Sequence, residues 1–232
     1  MEFQAFHSSS AGNLYRVSSG KHSLLLECGV PLDKIKQAFG YSFRSIQACL
    51  ITHSHRDHSR SAKELLRLGI NINCSVETAH ALNIHVDEHN LNLIEPLKMF
   101  THDPFNIMPF PVAHDVPGSL GYLISDGHDK LLFAIDTAYI GPRFKGLTCI
   151  CIECNWSEKT LAPDLDPYVK RRLLKSHMSL ETCKKFLSAQ DLSTVREIHL
   201  LHMSDGNGDA ELFKREIQAL TGKPVYMAGK EV

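Results

Sequence analysis

Residues 51–60, ITHSHRDHSR, follow the apolar run Ala48-Cys49-Leu50-Ile51 and set His53, His55, Asp57 and His58 within six positions. In an extended segment His53 and His55 lie two residues apart and point to the same side, so their imidazoles can grip one metal ion from one face. After the chain turns, Asp57 and His58 add a carboxylate and a third imidazole, which can begin a second site. Two ions about 3.5–4 Å apart form a hydrolytic clamp. The stretch therefore reads as a buried strand that delivers ligands at its end, and such a centre needs further ligands from elsewhere.

Later strand ends offer them. His114 follows Pro111-Val112-Ala113, Asp136 follows Leu131-Leu132-Phe133-Ala134-Ile135, and His202 follows Ile198-His199-Leu200-Leu201. Asp136 is the natural bridge, because a carboxylate has two oxygens and can touch both ions. The other histidines read as packing or surface residues. His80, His85 and His89 have spacings of five and four on an expected helix, which gather no single face, and no strand is expected before them. His7, His22, His102, His128 and His199 receive the same bland reading.

Around these positions the hydrophobic pattern predicts strands over 23–28, 48–52, 107–113, 121–125, 130–135, 147–152, 197–201 and 225–227. Helices are predicted over 60–68, ended by Gly69, and over 167–175, 180–189 and 209–220. Turns are expected at Asp103-Pro104, Val116-Pro117-Gly118, Asp126-Gly127 and Gly141-Pro142. Strands outnumber helices, yet helices recur between them, which is an α/β pattern built on large sheets.

With 232 residues and 43% hydrophobic content the chain suits one large domain. Its 25 basic and 26 acidic residues leave a formal charge of −1, so any nucleic acid must be held locally rather than by bulk positive charge. The exception is Lys170, Arg171, Arg172 and Lys175, a short basic run that can hold phosphates or can be a solvated helix face. No apolar stretch reaches the roughly 20 residues of a membrane span and MEFQAFHSSS lacks a signal pattern, so the expectation is a cytoplasmic protein. Seven cysteines, an odd number, several of them in apolar runs (Cys28, Cys49, Cys149), suggest reduced buried thiols. Cys151 and Cys154 match C-x-x-C, but they lie on a strand whose side chains alternate, and no second thiol pair accompanies them, so a redox or zinc role for them is not expected.

His53-Ser54-His55-Arg56-Asp57-His58, followed by His114, Asp136 and His202, resembles the signature of the metallo-β-lactamase fold superfamily, and the likeness runs from about Ser9 to Asn207. The resemblance implies a four-layer αββα sandwich with the metal site at one edge between the sheets. It implies that His53, His55 and His114 hold one ion, that Asp57, His58 and His202 hold a second, and that Asp136 bridges. Two divalent ions are implied, Zn2+ first and Mn2+ second, since affinity alone does not choose.

Other segments point to a branch. Ser176-His177-Met178-Ser179 and Leu201-His202-Met203-Ser204 resemble elements of ribonuclease Z-like phosphodiesterases, and Glu153 stands where those enzymes carry a glutamate that orients a non-ligand histidine. Ser10-Ala11-Gly12-Asn13, Asp136-Thr137-Ala138-Tyr139 and Asp205-Gly206-Asn207 resemble the WalJ/YycJ-like exonuclease branch. Ser176 departs from the usual glycine, Ala11 from a serine, and Trp156 from a histidine. The flavodiiron branch carries an acidic residue where His55 stands, which disfavours it.

The resemblance implies a nuclease or other phosphodiesterase in which a hydroxide between the ions attacks. Asp57 would orient that nucleophile, and His177, held by Glu153, would protonate the leaving oxygen. The chain shows no long insertion of the kind by which ribonuclease Z grips transfer RNA, which favours DNA or short nucleic acid. Two alternatives stand beside this one: a hydrolase of a small ester, thioester or lactam, and a metal-binding protein without turnover.

Overall fold

Successive side chains of a strand point to opposite faces, and the apolar runs here are apolar at every position, so each central strand must be covered on both sides. The computed structural model, which describes residues 1–229, meets that requirement with two mixed sheets flanked by helices. The elements run β1 (Glu2–Ser9), β2 (Gly12–Ser19), β3 (His22–Leu26), α1 (Leu32–Ala38), β4 (Ile46–Leu50), α2 (Arg56–Ser59), α3 (Ala62–Arg67), β5 (Ile72–Cys74), α4 (Val76–Ala81) and β6 (Leu91–Leu93). They continue with β7 (Phe100–His102), β8 (Phe105–Pro111), β9 (Leu120–Ser125), β10 (Lys130–Ala134), β11 (Cys149–Glu153), α5 (Pro167–Ser176), α6 (Leu180–Ser188), β12 (Glu197–Leu201), α7 (Ala210–Thr221) and β13 (Val225–Met227).

The first sheet has the order β1-β2-β3-β4-β5-β6 and the second β13-β12-β11-β10-β9-β8-β7. Each is antiparallel over its hairpin strands and parallel elsewhere, over β3 to β6 in the first and β10 to β13 in the second; helices make the parallel connections except between β10 and β11, where a loop does. The alternation of side chains divides the core into three. Leu24, Leu26 and Leu50 meet Ile107, Leu131 and Phe133 between the sheets. Leu25, Cys49 and Ile51 turn outward under α1 and α3, against Ile35 and Leu65. Leu132, Ile150 and Ile152 turn outward under α6 and α7, against Leu187 and Phe213. The result is the expected four-layer αββα sandwich.

Because Phe133 is fully buried between the sheets, Phe133→Ala is expected to cost about 3–5 kcal/mol, read from the shift in a denaturant unfolding curve. A cost below about 1 kcal/mol would mean that the inter-sheet layer can collapse around the gap.

Helix starts follow their caps. Asp166 accepts from the amides of Tyr168 and Val169 with Pro167 in the first turn of α5, Ser179 caps α6, and Asp209 caps α7. The helix expected over 60–68 is α3, and the short α2 before it lies outside that expectation; the two are separated where the Ser61 hydroxyl donates to the Val30 carbonyl and its amide to the Cys28 carbonyl. Gly69, at φ +78°, ends the second. The expectation for His80, His85 and His89 needs correction. A strand, β5, does precede them, and only His80 lies on α4, while His85 and His89 occupy the following turns. Among the described residues no helix is long and apolar enough to cross a membrane.

Candidate metal centre

All seven residues singled out by spacing come together past the C-terminal ends of β4, β8, β10 and β12, where loops from both sheets meet. Asp57 and His58 belong to the first turn of α2. Gly29, in the loop after β3, is required there: a Cβ would overlap the Asp57 carbonyl, so glycine lets that loop lie against the turn that carries Asp57 and His58. Asp136 and His202 each follow a strand with positive φ, +48° and +49°. Strained backbone of this kind aims both side chains back into the cluster.

The ligand atoms of His53, His55, His114 and Asp136 lie within 4.8 Å of one another, as do those of Asp57, His58, Asp136 and His202. In the first group, His55 Nδ1 stands 3.1 Å from His53 Nε2 and 3.2 Å from His114 Nε2. Three nitrogens on one tetrahedral ion at about 2.0–2.1 Å stand roughly 3.3 Å apart, so the spacing fits a cation. Outer partners aim two of the rings. His53 Nδ1 meets the Thr52 hydroxyl at 2.8 Å, and His114 Nδ1 donates to the Ser176 carbonyl at 3.0 Å, which turns both Nε2 atoms inward. Burial holds His53 and His114 below the usual histidine range, in the neutral form that a metal needs.

In the second group, His58 Nε2 stands 3.2 Å from Asp136 and 3.3 Å from Asp57, and His202 Nδ1 stands 2.7 Å from the other Asp136 oxygen. Burial opposes charge on His58 and His202, but the Asp136 carboxylate prevails and raises both. Burial likewise opposes the ionised form of Asp57, and the His202 and His58 rings beside it outweigh that, holding the carboxyl well below its ordinary range. His202 Nε2 is buried without a hydrogen-bond partner, a donor position that fits an ion facing it.

Beside the cluster, His177 Nδ1 meets Glu153 Oε1 at 2.7 Å. The pair also lies within ligand distance of Asp136 and His202. Glu153 is fully buried, however, and its second oxygen accepts from the amides of Thr137, at 2.8 Å, and Met178, at 3.2 Å. Its oxygens are committed to holding N–H groups. Burial works against the imidazolium of His177, and Glu153 overcomes it, raising the ring above its usual value.

The cluster opens into a cleft of about 360 Å³ whose walls include Ser10, Arg56, Val169, Arg172 and His177. Of the four basic residues on α5, only Arg172 lines this cleft, with Nε 2.9 Å from Asp115; Lys170, Arg171 and Lys175 are exposed elsewhere on the helix.

Further residues outside the expected ligand set support the site. Glu27, buried at φ +61°, faces His58 Nδ1 at 3.6 Å, and the Asn13 amide lies 3.1 Å from His58 Nε2. Trp156, the departure from a histidine, is buried and donates its indole N–H to the His177 carbonyl at 3.2 Å, so it positions the segment that carries His177.

A family model described as a beta-lactamase superfamily domain matches residues 25–203. No curated protein matches the sequence closely enough to count as a relative. Among solved structures, the metallo-beta-lactamase fold protein YhfI from Bacillus subtilis is 19% identical, with a TM-score of 0.74 over 99% of this chain and 97% of its own. Zn2+-bound PqqB from Methylobacterium extorquens is 15% identical, with a TM-score of 0.70 over 99% of each chain. The short form of human tRNase Z is 14% identical, with a TM-score of 0.67 over 100% of this chain and 98% of its own. These three share the fold. With the family model spanning most of its length and a buried His/Asp cluster fit for metal, the chain belongs to the beta-lactamase superfamily and is a metal-dependent hydrolase of that fold.

Proposed function

We propose that the protein is a dinuclear metal-dependent phosphodiesterase of exonuclease type, akin to the WalJ/YycJ-like branch. His53, His55 and His114 hold one ion, Asp57, His58 and His202 the other, and Asp136 is shared. Zn2+ suits the imidazole-rich first group, and Mn2+ is the second candidate. The observation that carries this reading is His177 on Glu153: an imidazole outside both groups, held by a buried carboxylate that has no oxygen to spare and that favours its protonated form.

Two bound ions supply charge for phosphate oxygens and lower the pKa of a water towards about 7. The chain's own residues do the rest. Asp57, part-exposed to the cleft, orients the attacking water and takes its proton. His177, its Nδ1 fixed by Glu153, presents Nε2–H to the leaving oxygen and donates that proton. Arg56 and Arg172, on the cleft wall, bind phosphates flanking the scissile one.

Metal-loaded protein should therefore cleave an end-labelled DNA duplex and bis-p-nitrophenyl phosphate, with label released from the ends. Arg172→Ala should raise KM for DNA about tenfold with kcat little changed, the size expected for losing one exposed charge-assisted contact. A fully metallated protein that cleaves neither phosphodiester but hydrolyses a thioester or lactam would overturn the reading.

A further inference from the structure

At the end of the second sheet remote from the cluster, two adjacent strands present four metal-binding side chains as a square. β11 and β12 are parallel, with Cys149 opposite Glu197 and Cys151 opposite His199. Residues two apart on a strand share a face, so all four side chains lie on one side of the sheet. The Sγ atoms of Cys149 and Cys151 are 3.7 Å apart, and His199 Nε2 is 3.4 Å from Glu197 Oε1. The ligand atoms of Cys149, Glu197 and His199 all fall within 4.8 Å of one another. His199 Nε2 is buried with no hydrogen-bond partner, and its ring is fixed between Phe3, at 4.8 Å, and Tyr226, at 5.1 Å.

We propose that Cys149, Glu197 and His199, with Cys151 as fourth donor, form a separate site for one Zn2+ ion, joining β11 to β12. The thiol spacing is that of a shared ion: two thiolates at about 2.3 Å from one tetrahedral Zn2+ stand roughly 3.75 Å apart. Two thiolates, an imidazole and a carboxylate form the mixed soft and borderline set that selects Zn2+ over Mg2+ or Mn2+. Cys154, the C-x-x-C partner of Cys151 in the sequence, takes no part, because it packs beneath α6 on the opposite face. Glu197, the most exposed of the four at 34%, marks where the ion enters. From Cys149 to Glu153 is four residue steps along β11, about 13 Å, so this ion does not touch the hydrolytic centre.

The two kinds of site are spectroscopically distinct, since the His/Asp cluster has no sulfur donor. Full-length protein stripped of metal and titrated with Co2+ should develop a sulfur-to-cobalt charge-transfer band at one equivalent per chain. Asp136→Ala should retain the band. Cys149→Ser and His199→Ala should each weaken that Co2+ binding by more than the 10- to 100-fold, roughly, that loss of an outer-shell partner costs. DNA cleavage, where wild type shows it, should stay within about twofold in both variants, because neither residue belongs to the hydrolytic centre. His199 lies at the edge of the core, so His199→Ala carries the test if Cys149→Ser fails to fold. Folded wild-type protein that gives no charge-transfer band at saturating Co2+, or a band that survives both substitutions, would overturn the site.

Discussion

Asp136→Ala is expected to strip the metal from both halves of the His/Asp cluster and to reduce hydrolysis to background. Its carboxylate is the only group common to both sets of ligand atoms, with one oxygen 3.2 Å from His58 and the other 2.7 Å from His202. Removing it takes a donor from each ion at once and removes the negative charge that a pair of dications needs. Asp136→Asn separates charge from shape: the amide fills the same space but offers one neutral oxygen, so it should also lose metal, measured by elemental analysis after gel filtration. A variant that kept full metal content and turnover would show that the two groups do not share Asp136.

His177→Ala is expected to behave in the opposite way, keeping the metal while cleavage of DNA falls by about 10²- to 10⁴-fold, the usual worth of a positioned general acid. The defect should shrink when the leaving group is stable as an anion, so bis-p-nitrophenyl phosphate should suffer much less than DNA. Glu153→Gln should follow the same pattern, since the amide no longer stabilises the imidazolium. The competing arrangement, in which His177 binds metal together with Asp136 and His202, predicts loss of metal in His177→Ala and an equal defect on both substrates.

What could be read from the sequence was whatever repeats at strand period or sits beside a strand end. The runs Leu24-Leu25-Leu26 and Leu131-Leu132-Phe133 are apolar at every position because both faces are covered, and that announces a central strand in any order of elements. His53, His55, Asp57 and His58 could be found because their spacing is itself the geometry. β1 and β2 escaped because residues such as Glu2, Gln4, Asn13 and Arg16 interrupt the pattern, and β5, β6 and β7 are three-residue strands broken in the middle by Asn73, Asn92 and Thr101, unlike the equally short but apolar β13.

Glu27 was illegible for a different reason. It reaches His58 from a distant point in the chain, and a single buried polar residue at a strand end looks the same whether it serves a ligand or only satisfies the backbone. Asn13 was visible within Ser10-Ala11-Gly12-Asn13, but its contact with His58 was not. His199 carried no sign either. Its relation to Cys149 and Glu197 exists only once β11 and β12 are laid side by side in one register.

The single tryptophan of the chain is fixed by its indole N–H to the carbonyl of His177. Intrinsic fluorescence of this protein is thus a local signal rather than an average. Emission excited at the indole band reports the segment that carries His177, and stopped-flow traces on the unlabelled enzyme can follow events there during a single turnover. The residue that departs from the branch pattern has, in that sense, given the centre a built-in optical probe.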